Sequence, residues 1–339
     1  MSHGWSNVVG AIAALVLLLH LAGCAWGQPT PEEVPPVQTP KEEDEVSEMV
    51  YAASAKPRQV APEVPAADLG ALVEGNNHFA LDLYHALRGP ADVERPFAKP
   101  DANLLYSPYS ISLALAMTYA GARGETAQQM ADTLHFTLPP EQLHPAFNVL
   151  DQALRSADEG DDDFILHLVN AIWGQQGYTF REPFLDLLAQ NYGAGLRILA
   201  FVAQPEASRL TINNWASEQT ESKIEDLLPQ GAIDPSTVLV LANAIYFNAA
   251  WKSPFSEEAT HDAPFALLGG SEITVPTMQG TMRLRYAEGP GYQAVELPYQ
   301  GERFAMLIVL PEAGGYPTFA GAFDAEQLGT MVSDLQVAT

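Results

Sequence analysis

Two long apolar runs each carry a single asparagine: Leu166-His-Leu-Val-Asn170-Ala-Ile-Trp173 and Val238-Leu-Val-Leu-Ala-Asn243-Ala-Ile-Tyr-Phe247-Asn-Ala-Ala-Trp251. Continuous apolar runs of this length, rich in β-branched residues, read as strands covered on both faces. An amide inside such a strand needs hydrogen-bond partners or costs a few kcal/mol. The same Asn-Ala-Ile-aromatic phrase in both runs predicts two strands of one central sheet. It is too brief to be an internal repeat.

Helical spacing is clearest at Phe79, Leu83 and Leu87, which predict a first amphipathic helix in a folded part that begins near Leu72. The next segment conflicts with its own periodicity. Ile111, Leu113, Leu115, Met117 and Tyr119 alternate with Ser112, Ala114, Ala116 and Thr118, a strand-like pattern. Ser107 is a good N-cap, Pro108 suits the first helical position, and Ala and Leu favour helix, so a buried helix is expected, closed by Gly121 and Gly124. Further helices are expected over 125–134, 140–156, 182–192, 206–220 and 324–337. Strands are expected over 164–173 and 196–201 and repeatedly between Phe265 and Pro311. Helices and strands interleave without a βαβ rhythm, so the fold class is α+β.

The first seventy residues differ in kind. Val8 to Ala22 form an apolar run of signal-peptide length, too short for a comfortable membrane span. The run ends Leu21-Ala22-Gly23-Cys24, similar to the lipobox of bacterial lipoproteins. That resemblance implies cleavage before Cys24 and a lipid on its sulfur; the alternatives are an uncleaved anchor and an ordinary secretory signal. Either way the domain is expected to be exported. Residues 24–70 are Pro-rich and acidic, with Pro29, Pro31, Pro35, Pro36, Pro40 and the run Glu42-Glu-Asp-Glu45. Too little apolar surface is available there to offset ordering entropy, so the segment reads as an extended, disordered tether. The organisation is then a leader over 1–23, a tether over 24–70 and one domain over 71–339.

Composition narrows the function classes. Acidic residues outnumber basic ones 42 to 16, a formal net charge of -26, which argues against nucleic acid and anionic membrane surfaces as partners. The one cysteine excludes a disulfide framework and a multi-cysteine metal site. There is no G-x-S-x-G elbow, H-E-x-x-H pair, phosphate-binding loop or G-x-G-x-x-G turn, so neither an enzyme nor a cofactor is expected. His78 and His85 share a helix face without a third ligand, and His167 sits in a strand; packed or surface roles suit all three. The acidic loop Asp158 to Asp163 lacks the alternating oxygens and in-register glycine of a calcium loop and reads as solvated.

Three blocks carry a family resemblance: Asn103-Leu-Leu-Tyr-Ser107-Pro108-Tyr-Ser110-Ile111, the Asn243 strand, and Leu297-Pro-Tyr-Gln-Gly301-Glu-Arg-Phe304-Ala-Met-Leu-Ile-Val-Leu-Pro311. In order and approximate spacing the chain from about residue 72 to 339 resembles the serpin family of serine protease inhibitors. The resemblance implies three sheets with surrounding helices and a central sheet that parts to admit a cleaved loop as a new strand. It implies a sheet-opening region at Ser107 and Ser110, with Asn243 joining the same polar cluster and Trp251 at the top of the sheet where insertion begins. Asn170 is expected to be a structural strand amide. Small hydroxyls and an amide can exchange hydrogen-bond partners between closed and open sheets at little net cost. The bland alternatives are a helix cap for Ser107 and plain core for Trp251.

The family carries its protease-baiting loop near the C-terminus, whereas this sequence stops at Thr339. The resemblance therefore implies that the reactive bond, the hinge, the later strands and a neighbouring histidine are absent, leaving a fold incomplete at its C-terminus with apolar sheet edges exposed. Two readings follow: an inhibitor that traps a serine or cysteine protease by loop insertion, and a non-inhibitory serpin-like scaffold or binding protein.

Overall fold

The structure, a computed structural model, describes residues 11–20, 51–52, 54–89, 103–156 and 164–338. Cys24, most of the expected tether and the acidic loop over 158–163 lie outside the described residues. In chain order the elements are β1 (Ala11–His20), β2 (Tyr51–Ala52), α1 (Ala66–Arg88), α2 (Pro108–Tyr119), α3 (Gly124–Leu134), α4 (Pro140–Arg155) and β3 (Phe164–Gln175). Then follow α5 (Glu182–Tyr192), β4 (Leu196–Leu199), α6 (Pro205–Gln219), β5 (Thr237–Ala249), β6 (His261–Ala266), β7 (Glu272–Thr277) and β8 (Leu284–Gly289). The last are β9 (Tyr292–Pro298), β10 (Ala305–Pro311), α7 (Tyr316–Ala322), α8 (Ala325–Asp334) and β11 (Gln336–Ala338).

The two asparagine-bearing runs are neighbours, as their shared phrase predicts. A five-stranded sheet has the order β1-β5-β3-β4-β2. β3 and β5 pair antiparallel from Phe164 opposite Ala249 to Gly174 opposite Leu239, which sets Asn170 directly across from Asn243. β4 joins β3 in parallel. Side chains alternate between two helical layers, as strand geometry requires. Leu241 and Ile172 pack with Leu113 and Met117 of α2 on one face. Val240, Ala242 and Trp173 pack with Ile212 and Trp215 of α6 on the other. Apolar side chains cover both faces, so each strand is apolar nearly throughout.

The ambiguous 108–119 segment is a helix. Ser107 takes an extended conformation and its hydroxyl accepts the Ser110 backbone N–H, while Pro108 occupies the first turn. The apparent period of two arises because apolar and small residues are interspersed on a helix buried on most of its surface, Ala114, Ala116 and Met117 included. α1 begins at Ala66, some residues before Leu72, and α8 runs Ala325–Asp334 with the Asp324 carboxylate accepting the Gln327 N–H. The short α7, rich in Gly, Pro and Ala, gave no periodic signal. Gly75 lets α1 approach the end of α3: a Cβ there would stand 2.3 Å from the His135 carbonyl oxygen.

Two other sheets complete the architecture, a four-stranded one in the order β10-β9-β8-β11 and a two-stranded β6–β7 pair. β10 is a terminal strand of its sheet, with Ile308 and Leu310 exposed, and the β6–β7 hairpin exposes Phe265 and Ile273.

The N-terminal segments are placed in ways their composition did not announce. The apolar run Ala11–His20 forms strand β1 against β5. Residues 54–64, included in the expected tether, run along α4 and α5. Lys56 donates to Asp186 at 2.6 Å, Arg58 donates to Asn148 at 2.8 Å and to Asp151 at 2.7 Å, and the Gln59 N–H donates to the Gln190 carbonyl at 2.9 Å. Lys56 and Arg58 are what separates this part from the acidic run before it: cations that can pair with helix carboxylates restrain a chain that composition alone leaves extended. Among the described residues no helix is long and apolar enough to cross a membrane.

Candidate functional site: the polar seam beneath the central sheet

Side-chain alternation puts Asn243 and Asn170 on the sheet face that looks toward α2. Asn243 is 2% exposed, and its Nδ2 donates to the Asn170 Oδ1 at 2.6 Å and to the Val169 carbonyl at 3.3 Å. The amide is therefore satisfied within the sheet. This corrects the expected grouping. Among the described residues no hydrogen bond joins Asn243 to Ser107 or Ser110; its partner is Asn170, which serves as the structural strand amide it was expected to be. The cause is register: direct cross-strand neighbours lie closest and reach one another first.

The two serines form their own pair on α2. The Ser107 hydroxyl donates to the Ser110 hydroxyl at 2.9 Å and accepts from the Ser110 N–H at 3.4 Å. Ser110 and Ser112 are buried, and the Ser112 hydroxyl has no protein partner among the described residues. The three serines thus put short polar groups on a helix whose other buried residues, Leu113, Ala114, Ala116 and Met117, are apolar. Such groups can re-pair when a sheet shifts, because a hydroxyl both donates and accepts and its proton rotates freely.

Trp251 lies at the end of β5, 6% exposed. Its indole stacks on Tyr299 with centroids 4.6 Å apart and planes 9° apart, and meets Phe255 edge-on. A β-bridge joins Trp251 to Tyr299, flanked by Lys252 N–H to the Pro298 carbonyl at 3.0 Å and Gln300 N–H to the Ala250 carbonyl at 2.8 Å. The residue thus clasps the end of the central sheet to β9 of the second sheet. Burial raises the Tyr299 phenol above its ordinary value.

A second buried polar group was missed from sequence. His144, Asn148 and Asp151 follow one another at spacings of four and three on α4, hence on one face, and all are buried. That spacing was readable; their partners were not, since Arg58 comes from the N-terminal segment and Tyr192 from α5. Asp151 pairs with Arg58 and with Arg155 at 2.8 Å. His144 Nδ1 and the Tyr192 hydroxyl lie 2.6 Å apart. Burial pushes His144 down to about 4 and raises Tyr192 well above the ordinary phenol range, with Tyr109 and Asp151 adding to the latter. Three other histidines among the described residues sit in packed or surface places. His78 lies against the His135 ring, His85 Nε2 is 2.8 Å from the Phe323 carbonyl oxygen, and His167 lies beside Tyr246.

Comparison with known proteins decides what this architecture is. The family profile described as Serpin (serine protease inhibitor) matches residues 74–339. This chain belongs to the serpin family. It is 40% identical to human leukocyte elastase inhibitor over 243 residues, covering 71% of this chain and 61% of that protein. It is 36% identical to an uncharacterized serpin-like protein of Thermococcus kodakarensis over 265 residues, covering 78% and 59%. Mouse antithrombin-III is 37% identical over 260 residues, covering 75% and 54%. The chain therefore spans about three fifths or less of the length of these relatives. Emu ovalbumin shares the fold at 24% identity, with a TM-score of 0.71 over 79% of this chain and 71% of that one. The serpin fold is mixed helix and sheet, as the α+β patterning predicted.

The buried imidazole makes this serpin domain sensitive to acid. The folded value of His144, about 4, lies below the usual value near 6.5, so between them the unfolded chain binds the extra proton. Its contribution is complete above about pH 6.5 and is lost as pH falls through about 4, at most on the order of 3 kcal/mol. Urea unfolding followed at several pH values across that window should show stability falling with acidity, and His144→Leu should flatten the fall. Equal slopes for the two proteins would show that the imidazole is not held neutral.

Proposed function

We propose that this serpin domain is the body of a serine or cysteine protease inhibitor that works by strand insertion, exported from a bacterial cell and held there by a lipid on Cys24. One observation carries the reading: the family profile described as Serpin (serine protease inhibitor) matches residues 74–339. Similarity to human leukocyte elastase inhibitor and mouse antithrombin-III supports a protease as partner.

In this reading the protease nucleophile attacks the scissile carbonyl of the loop, and the amine side leaves with a proton to give an acyl-enzyme. Insertion of the freed loop strand beside β5 then pulls the protease active site out of shape before water cleaves the ester. The seam of Ser110, Ser112 and Asn243 lets the sheet and α2 adjust, and the Trp251–Tyr299 stack holds the end of β5 while they do.

A second reading is a non-inhibitory serpin-like scaffold. A denaturing gel separates the two. The 339-residue chain should give no detergent-resistant adduct with trypsin-, chymotrypsin- or subtilisin-like proteases. The same chain, cleaved before Cys24 and extended after Thr339 with the reactive loop and following strands of human leukocyte elastase inhibitor, should give one. An adduct from the unextended chain would contradict the position assigned to the loop; none from the extended chain would leave the scaffold reading.

Anchorage is tested separately. Cys24→Ala should release the protein from the membrane fraction and abolish incorporation of labelled lipid. Unchanged partitioning without label in the parent chain would remove the lipoprotein assignment.

A further inference from the structure

Arg58 is the only arginine before Arg88, and its side chain turns into the domain from an arm, residues 54–64, in which its neighbours Pro57, Gln59 and Val60 are exposed. The guanidinium meets two acceptors one turn apart on α4: Nε donates to the Asn148 Oδ1 at 2.8 Å and Nη2 to the Asp151 Oδ2 at 2.7 Å. Both acceptors belong to the core, Asn148 at 0% and Asp151 at 2% exposed. Gly193, at the end of α5 with φ +61°, makes room for the arginine stem: a Cβ there would stand 2.9 Å from the Arg58 Cδ. Asp151 also holds Arg155, while its Oδ1 has no protein partner among the described residues. Taking the guanidinium away would leave this buried carboxylate short of compensation. The main chain just beyond is held too. The Gln59 N–H donates to the Gln190 carbonyl at 2.9 Å, and the Gln59 carbonyl accepts from Asn148 Nδ2 at 2.9 Å and Gln152 Nε2 at 3.0 Å.

These contacts fall on a bond that a trypsin-like protease would otherwise cut. Such an enzyme draws a basic side chain into its specificity pocket and needs the flanking main chain free to pair with it. Here the Arg58 side chain lies in the α4–α5 cradle, and the N–H of the Arg58–Gln59 amide is itself bonded to Gln190. The other cation of the arm, Lys56, is followed by Pro57, whose ring and missing N–H obstruct a cut at that place. We propose that the α4–α5 cradle is a guanidinium-binding site whose ligand is the chain's own Arg58, and that its occupancy shields the Arg58–Gln59 bond from trypsin-like proteases. A cut there would part residues 1–58 from the domain. The shielding is independent of the inhibitor reading, since it needs neither a reactive loop nor a lipid on Cys24.

The test exposes the full chain briefly to trypsin and identifies the fragments by mass. Cleavage after Arg58 should be at least about tenfold slower in the chain than in a synthetic peptide of residues 50–64, because the cut tracks the population in which the charged hydrogen bonds are open. Arg58→Lys keeps a residue that trypsin accepts but exchanges the fork for a point charge that does not match the two acceptors. Cleavage after residue 58 should then quicken at least about tenfold, with rates at the other basic sites unchanged. Asp151→Asn opens the cradle from the other side and should act in the same direction. The arm variant leaves the domain's own residues intact, so the outcome does not depend on how well Asp151→Asn folds. A parent chain cut after Arg58 as fast as the peptide would overturn the proposal. So would an Arg58→Lys chain cut there no faster than the parent, or one whose cleavage quickens equally at every basic site.

Discussion

Everything in this domain hangs on a strand pair buried on both faces with an amide in the middle of each strand. β3 and β5 lie between α2 and α6, and their apolar residues are divided between two cores. In that setting an unpaired asparagine would be costly, and the register that sets Asn170 opposite Asn243 is the one that satisfies it. A slip of one residue would turn every side chain to the wrong layer and separate the amides. Register, layer assignment and polar satisfaction are therefore one constraint.

From that pair outward the structure is held together by separate means. The Trp251–Tyr299 stack and its flanking backbone bonds fasten the end of β5 to the second sheet. Arg58 and Lys56 draw the N-terminal segment across α4 and α5. β1 and β2 are the outer strands of the central sheet.

Much of this was legible from sequence because the determining physics is local. The double Asn-Ala-Ile-aromatic phrase marks two buried strands of one sheet, and Ser107-Pro108 resolves a strand-like alternation into a capped helix. What was not legible depends on distant partners. Asn243 was expected among the α2 hydroxyls, but its bond goes across the sheet to Asn170. The His144, Asn148 and Asp151 face was visible as spacing, yet its meaning required Tyr192 on α5 and Arg58 from a segment whose composition suggested only a tether. The apolar run over Ala11–His20 was expected to be an export leader, and its hydrophobicity alone did not announce the antiparallel pairing with β5.

The Asn170–Asn243 pair acts as one unit that fixes the sheet, and a double-mutant cycle measures that coupling. Asn170→Leu, Asn243→Leu and the double substitution are compared by urea unfolding. Each single change strands the other amide and should cost about 1–3 kcal/mol, while the double change, which removes both polar groups, should cost clearly less than their sum. Additive costs, or single substitutions without effect, would contradict the claim.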